Sequence, residues 1–257
     1  MFSSSTLLIP AVDYDAGGIW GLRRLQALLR YGEGPHITAL ALVPLAIALL
    51  DIAVEKRRPH WWLLAVLSSA AAVLTNWLGA AALCIAVLAW LLSREAGARL
   101  HAWIAVASVG VSAYSVASPW IPPSLILGIA RNERFVSGEL LSPGLRLAVL
   151  TGGLLLLTGL LWVFRRLQAP SGVGFAVVFV LITGAITLGF EWFHSSLMPQ
   201  PSRYHLELEM GLALLLAFLS QMRLRHVRPW GLPALVCILS VSSVYALVRC
   251  EKRAQRR

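Results

Sequence analysis

Apolar residues in this chain come in runs of 15 to 20, separated by short polar breaks. Runs of that length match the hydrocarbon core of a bilayer. Strict alternation, the mark of a membrane barrel, is missing from them. The pattern predicts α-helical spans at about 37–52, 61–75, 78–92, 102–118, 147–164, 172–190, 205–221 and 231–248. The fold class expected is all-α, a polytopic transmembrane bundle of about eight spans. Its expected divisions are an outer segment over 1–36, the bundle over 37–248 and a basic tail over 249–257.

The second and third spans come from one 32-residue stretch, "WWLLAVLSSAAAVLTNWLGAAALCIAVLAWLL". As a single helix it would be about 48 Å long, more than the membrane core even when tilted. The break "TNWLG" at 75–79 therefore predicts a tight hairpin of two short helices, with Asn76 satisfying backbone groups at the turn. Trp61, Trp62, Trp77, Trp120, Trp192 and Trp230 fall at expected span ends, where indole rings favour the headgroup level.

Before the first span, "GIWGLRRLQALLRYGEG" (18–34) places Ile19, Trp20, Leu22, Leu25, Leu28 and Leu29 at helical spacing, with Arg23, Arg24 and Arg30 between. That pattern predicts an amphipathic helix lying in the membrane interface. The stretch from 119 to 146 is half apolar but rich in Pro and Gly, which predicts an outer loop along the surface or over a cleft. Arg131, Glu133 and Arg134 read as solvated charges within it.

Composition agrees with the pattern. The chain has 257 residues, 58% hydrophobic and 13% charged, against about 25% charged in soluble domains. Its net charge is +10. No nucleic-acid module accompanies that charge, which instead follows the positive-inside rule. Loops at 53–60, 93–101, 165–171 and 222–230 carry ten Lys or Arg, and the opposite loops at 76–77, 119–146 and 191–204 carry four. The first set is expected to be cytoplasmic. The tail "RCEKRAQRR", with five basic residues, then falls outside. Either one span is counted too many or, the reading preferred here, the chain continues beyond its C-terminus; the unusual start suggests the same at the N-terminus. Three cysteines show neither metal nor disulfide spacing. Cys84 and Cys237 read as small packing residues inside apolar runs.

Ionisable residues concentrate in "EWFHSSLMPQPSRYHLELEM" (191–210), where an outer loop meets a span. Pro199 and Pro201 stop the preceding structure, and a helix is expected near Ser202, a good N-cap type. Arg203 and Glu207 are four residues apart, as are His205 and Glu209, so each pair shares a helix face. The two faces lie about 160° apart and cannot line one pocket unless neighbours surround the helix end. Snorkelling and local ion pairs account for charges within a turn of the surface. Glu207 and Glu209 lie deeper, where a carboxylate needs a partner or a wet cavity. Arg203, Glu207, His205 and Glu209 are therefore candidate substrate-binding residues. A second outer cluster, "YGEGPH", adds Glu33 and His36, which also read as a helix cap and a satisfied interface histidine. Glu191 and His194 read as ordinary loop residues. Asp13 and Asp15 form a D-x-D that can hold a divalent metal, in a three-residue pattern common by chance. No catalytic residue and no cofactor is assigned.

Three segments carry a family resemblance: "GGIWGLRRLQALLRYGEGPHITALALVPLAI", "LTNWLGAAAL" and "MPQPSRYHLELEMGLALL". They resemble bacterial integral-membrane proteins of GT-C glycosyltransferase type, some described as 6-pyruvoyl-tetrahydropterin-synthase-related membrane proteins. The Pro-x-Arg-Tyr/Phe…Glu block, matched by Pro201, Arg203, Tyr204 and Glu207, is its most specific part. The resemblance implies transfer of a sugar from a polyprenyl-phosphate carrier at the outer face of a bacterial inner membrane. Membrane lipids, and a polyprenyl-phosphate sugar among them, are the partners it implies. Such proteins are longer and place a catalytic acid in the first outer loop, ahead of the part matched here. The resemblance thus implies a middle-to-C-terminal portion. In that setting Arg203 suits a lipid phosphate, and Glu207 or Glu209 suits a supporting carboxylate. Two other classes fit the same charges: a transporter or flippase of lipid-linked material, and a non-catalytic membrane subunit. No internal repeat, the usual mark of a transporter, is visible.

Overall fold

In the computed structural model, Ile9 and residues 32–94, 99–137, 142–166, 170–194 and 197–224 are described. All regular structure among them is helical: α1 (Gly34–Lys56), α2 (Pro59–Thr75), α3 (Trp77–Ser93), α4 (Arg99–Ala117), α5 (Pro123–Ser137), α6 (Pro143–Arg166), α7 (Ser171–Phe193) and α8 (His205–Leu224), with a 3-10 turn at Pro201–Tyr204. Each of the first seven expected spans is a helix. Four helical stretches are long and apolar enough to cross a membrane: Gly34–Lys56, Leu100–Ala117, Ser171–Phe193 and Pro201–Met222. Shorter apolar helices are Pro59–Thr75, Trp77–Ser93 and Leu147–Leu160. At 17 residues, α2 and α3 are each about 26 Å long. The expected eighth span, the amphipathic helix at 18–34 up to its last residues, Asp13, Asp15, Cys237 and the basic tail lie outside the described residues.

The hairpin of α2 and α3 forms where the sequence breaks. Asn76 closes one helix and opens the next: its N–H reaches Ala72 O, and its side-chain Oδ1 accepts from Leu78 N at 2.7 Å. Replacing Asn76 with alanine removes that cap and is expected to cost about 0.5–2 kcal/mol. Asn76→Ser should recover most of it, read as the midpoint of thermal unfolding in detergent.

α1 and α2 form a second hairpin. α3 lies against α1, α2 and α7, α2 also packs on α4, and α7 packs on α8. The core runs between them, through Val43, Ile47 and Leu50 of α1, Val66 of α2, Leu83 and Trp90 of α3 and Phe179 of α7. Small residues permit the closest approaches. A Cβ on Gly79 would sit 2.3 Å from Ala39 Cβ, so α3 and α1 touch almost backbone to backbone there. Pro44 lies inside α1, where packed neighbours make a missing N–H tolerable.

At one end of the bundle, Trp90 Nε1 donates to Asp51 Oδ1 at 2.9 Å. The Arg94 guanidinium pairs with the same carboxylate and lies 4.4 Å over the Trp90 ring. Nothing in the apolar pattern singles out Asp51, a lone acid near the end of a span. Asp51→Ala leaves the buried indole N–H without its acceptor and is expected to cost about 1–3 kcal/mol. Asp51→Asn keeps an acceptor oxygen and should lose less in the same melt.

Three expectations are corrected. Residues 123–137, expected as loop, form helix α5, with Leu125, Leu127 and Ile129 exposed; a short amphipathic run can close its own hydrogen bonds between the flanking Pro residues. Cys84 is exposed rather than packed in the core, because it lies on the outer side of α3. Glu191 belongs to the last turn of α7, and His194 ends that helix in a left-handed conformation (φ 51°). Trp77, Trp120 and Trp192 are exposed at helix ends, and Trp230 lies outside the described residues.

Candidate functional site

The opposite end of the bundle gathers the N-terminus of α1, the α2–α3 turn, the C-terminus of α7 and the start of α8. Gln200, in a left-handed conformation, turns the chain into the 3-10 turn at Pro201–Tyr204. The α-helix begins only at His205, and Ser202 is not its cap. The Ser202 carbonyl instead accepts a hydrogen bond from His205 Nδ1 at 2.8 Å.

All six residues from Tyr204 to Glu209 are buried. Neighbours therefore surround this helix start on every side, which is the condition under which its opposed faces serve one region. α7 and α8 run antiparallel, with Gly184 against Leu208 and Gly211 against Phe179. That register places Thr187 at the level of Tyr204 and His205.

The expected local pair of Arg203 with Glu207 does not form. Arg203 lies in the 3-10 turn, where the α-helical spacing of four does not bring side chains together. Both residues reach across to α1 instead. Glu207, 0% exposed, accepts at Oε1 from His36 Nε2 at 2.9 Å. Glu33 lies on the other side of the imidazole, with Oε2 3.3 Å from His36 Nδ1, an ion-pair distance whose geometry falls short of a hydrogen bond. Glu33 Oε1 lies 3.4 Å from Arg203 Nε. The Glu33 side chain makes no capping bond to its own helix.

Four residues from two distant segments thus form a chain: Arg203, Glu33, His36, Glu207. Ionised, their charges alternate and sum to zero, the arrangement that makes burial of a carboxylate tolerable. Exposure falls along the chain, from 47% at the Arg203 side chain through 14% at Glu33 to 0% at His36 and Glu207. Arg203 meets Glu33 through Nε, and nearly half of its side chain is exposed. At the buried end, Glu207 Oε2 and Thr187 Oγ1 have no hydrogen-bond partner among the described residues. Glu209 and His205 are buried at the same helix start.

Sequence spacing did not join the two clusters, because residues 171 positions apart meet only through the bundle. The available signal was shared position: both sit at the start of a long apolar helix. Among the described residues, no group of three or more His, Cys, Asp or Glu is placed to hold a metal ion. No family model, no curated protein and no solved structure matches the chain.

Proposed function

We propose that the chain is a GT-C-like membrane glycosyltransferase, or a portion of one, acting on a polyprenyl-phosphate-linked sugar at the outer face of a bacterial inner membrane. In this reading the bundle has eight spans, with the Lys/Arg-rich loops cytoplasmic and the Arg203 end outside. One observation carries it: a half-exposed arginine pairs through Nε with Glu33, which also faces the imidazole bound to the buried Glu207 carboxylate. A guanidinium so placed suits bidentate contact with a phosphate at headgroup depth. The buried carboxylate suits a group that handles the proton of a hydroxyl acceptor.

Arg203→Ala is expected to weaken binding of a polyprenyl phosphate by about 10- to 100-fold, the worth of one charge-assisted contact of about 1.5–3 kcal/mol. Arg203→Lys should keep the charge but lose the fork, and fall between. Binding to nanodiscs and sugar transfer in native membranes are the two readouts. Wild-type binding by Arg203→Ala removes the reading.

The buried His36–Glu207 pair also favours a second reading, a transporter or flippase of lipid-linked material, since paired charges inside a bundle mark substrate paths. Movement of the labelled lipid across protein-only vesicles, without chemical change, selects it. If alanine at Arg203 and alanine at Glu207 both leave sugar transfer in membranes unchanged, the chain is a non-catalytic membrane subunit.

A further inference from the structure

An imidazole held between two carboxylates, one near water and one fully buried, has a chemistry of its own. His36 faces Glu33 with Nδ1 and Glu207 with Nε2, and those two atoms exchange protons independently. We propose that Glu33, His36 and Glu207 form a proton relay that connects the aqueous mouth of the bundle to the buried Glu207 carboxyl. The relay does not depend on the substrate proposed above.

The steps balance as follows. Glu33 takes a proton from water at the mouth and passes it to His36 Nδ1. The imidazolium so formed releases its Nε2 proton to Glu207 Oε1. One proton has moved from water to Glu207, Glu33 is again a carboxylate, and the ring is left neutral with its proton on Nδ1. The reverse passage empties Glu207 through the same atoms. The 2.9 Å contact is already a hydrogen bond. The 3.3 Å contact needs a small turn of the Glu33 carboxyl. Glu33 lies between Gly32, at φ +66° with open space around it, and Gly34, so the backbone there permits that turn. A protonated Glu207 then presents its acid to whatever meets Oε2.

Other ionisable groups surround the relay. Arg203 contacts Glu33 directly. Tyr204, His205 and Glu209 are buried on the same helix start. From α3, Cys84 lies within electrostatic range of Tyr204. Glu191 and His194 stand at the end of α7, and Thr187 adds a hydroxyl that does not titrate. His36 faces both carboxylates of the relay.

The test is a pH jump on the chain in nanodiscs, followed by infrared absorption of the protonated carboxyl, with the Glu207 band assigned as the one lost in Glu207→Gln. The wild type should fill and empty this band reversibly. His36→Gln keeps a polar group beside Glu207 but does not carry protons. It should slow the band by about 100-fold, the lower range for a positioned proton-transfer group. The final amplitude should not fall to zero, and in His36→Ala added imidazole should restore the rate. Glu33→Gln removes the outer member near the surface and should slow the band as well, which keeps the test open if the His36 variants do not fold. A wild-type rate in Glu33→Gln or in a folded His36→Gln overturns the relay. So does a Glu207 that shows no titrating band.

Discussion

His36→Ala is expected to destabilise the bundle by about 3 kcal/mol at pH 7 and only about 1 kcal/mol at pH 5, apart from a pH-independent packing loss. The asymmetry follows from what each partner does when left alone. An imidazole titrates near pH 6.5, so at pH 7 it is neutral at almost no cost, and Glu207→Gln loses mainly a hydrogen bond, about 0.6–1.7 kcal/mol inside a membrane. A carboxyl titrates near 4.3. Without His36, the buried Glu207 side chain must be neutralised by a proton from bulk water, at about 1.4 kcal/mol per pH unit above that value.

The sign is definite. The stranded carboxyl costs more as pH rises and less as it falls. His36→Ala should therefore lose least in acid and most in base. Adding Glu207→Gln to His36→Ala removes the charge without changing the cavity. That double variant should be more stable than His36→Ala alone at pH 7, and the gain should shrink toward pH 5. Unfolding midpoints in mild detergent, measured across that range, supply the check. A double variant no better than the single one would show that Glu207 carries no neutralisation cost in His36→Ala, and so is not stranded by the loss of His36.

Much of the architecture was legible because membrane spans are written in composition. Each of the first seven expected spans is a helix, and the break at Asn76 sits where a 32-residue apolar run exceeds the bilayer. The 119–146 stretch was harder: Pro and Gly mark its ends, but Pro123–Ser137 between them is free to coil. The site was legible by residue and not by partner. Glu33, His36, Arg203 and Glu207 all stand out as polar groups at span starts. Which of them meet depends on how α1 and α8 are brought together at one end, and local spacing favoured the Arg203–Glu207 pair that the 3-10 turn prevents. Asp51 was illegible for the opposite reason, since its partners Trp90 and Arg94 lie on α3 and at its C-terminal cap.

Gly79→Ala is expected to cost about 1–3 kcal/mol or more, the range for forcing a methyl into a packed interior. The new Cβ would stand 2.3 Å from Ala39 Cβ, 3.3 Å from Ala72 O and 3.5 Å from Ala39 Cα. Two of these neighbours are backbone, so no side chain can swing away and α1 must shift from α3. That shift reaches the site, because Ala39 lies one turn from His36 on the same helix. Drawing α1 outward lengthens the His36–Glu207 contact, which joins helices that share little other packing. Gly79→Ala should therefore lower the unfolding midpoint and also weaken the energetic coupling between His36 and Glu207 in a double-mutant cycle. Ala39→Gly alone should cost about 1 kcal/mol for glycine in a helix. Combined with Gly79→Ala, it exchanges which helix carries the methyl and should recover both stability and coupling. Recovery of the midpoint without the coupling would mean that His36 and Glu207 are held by something other than the α1–α3 approach.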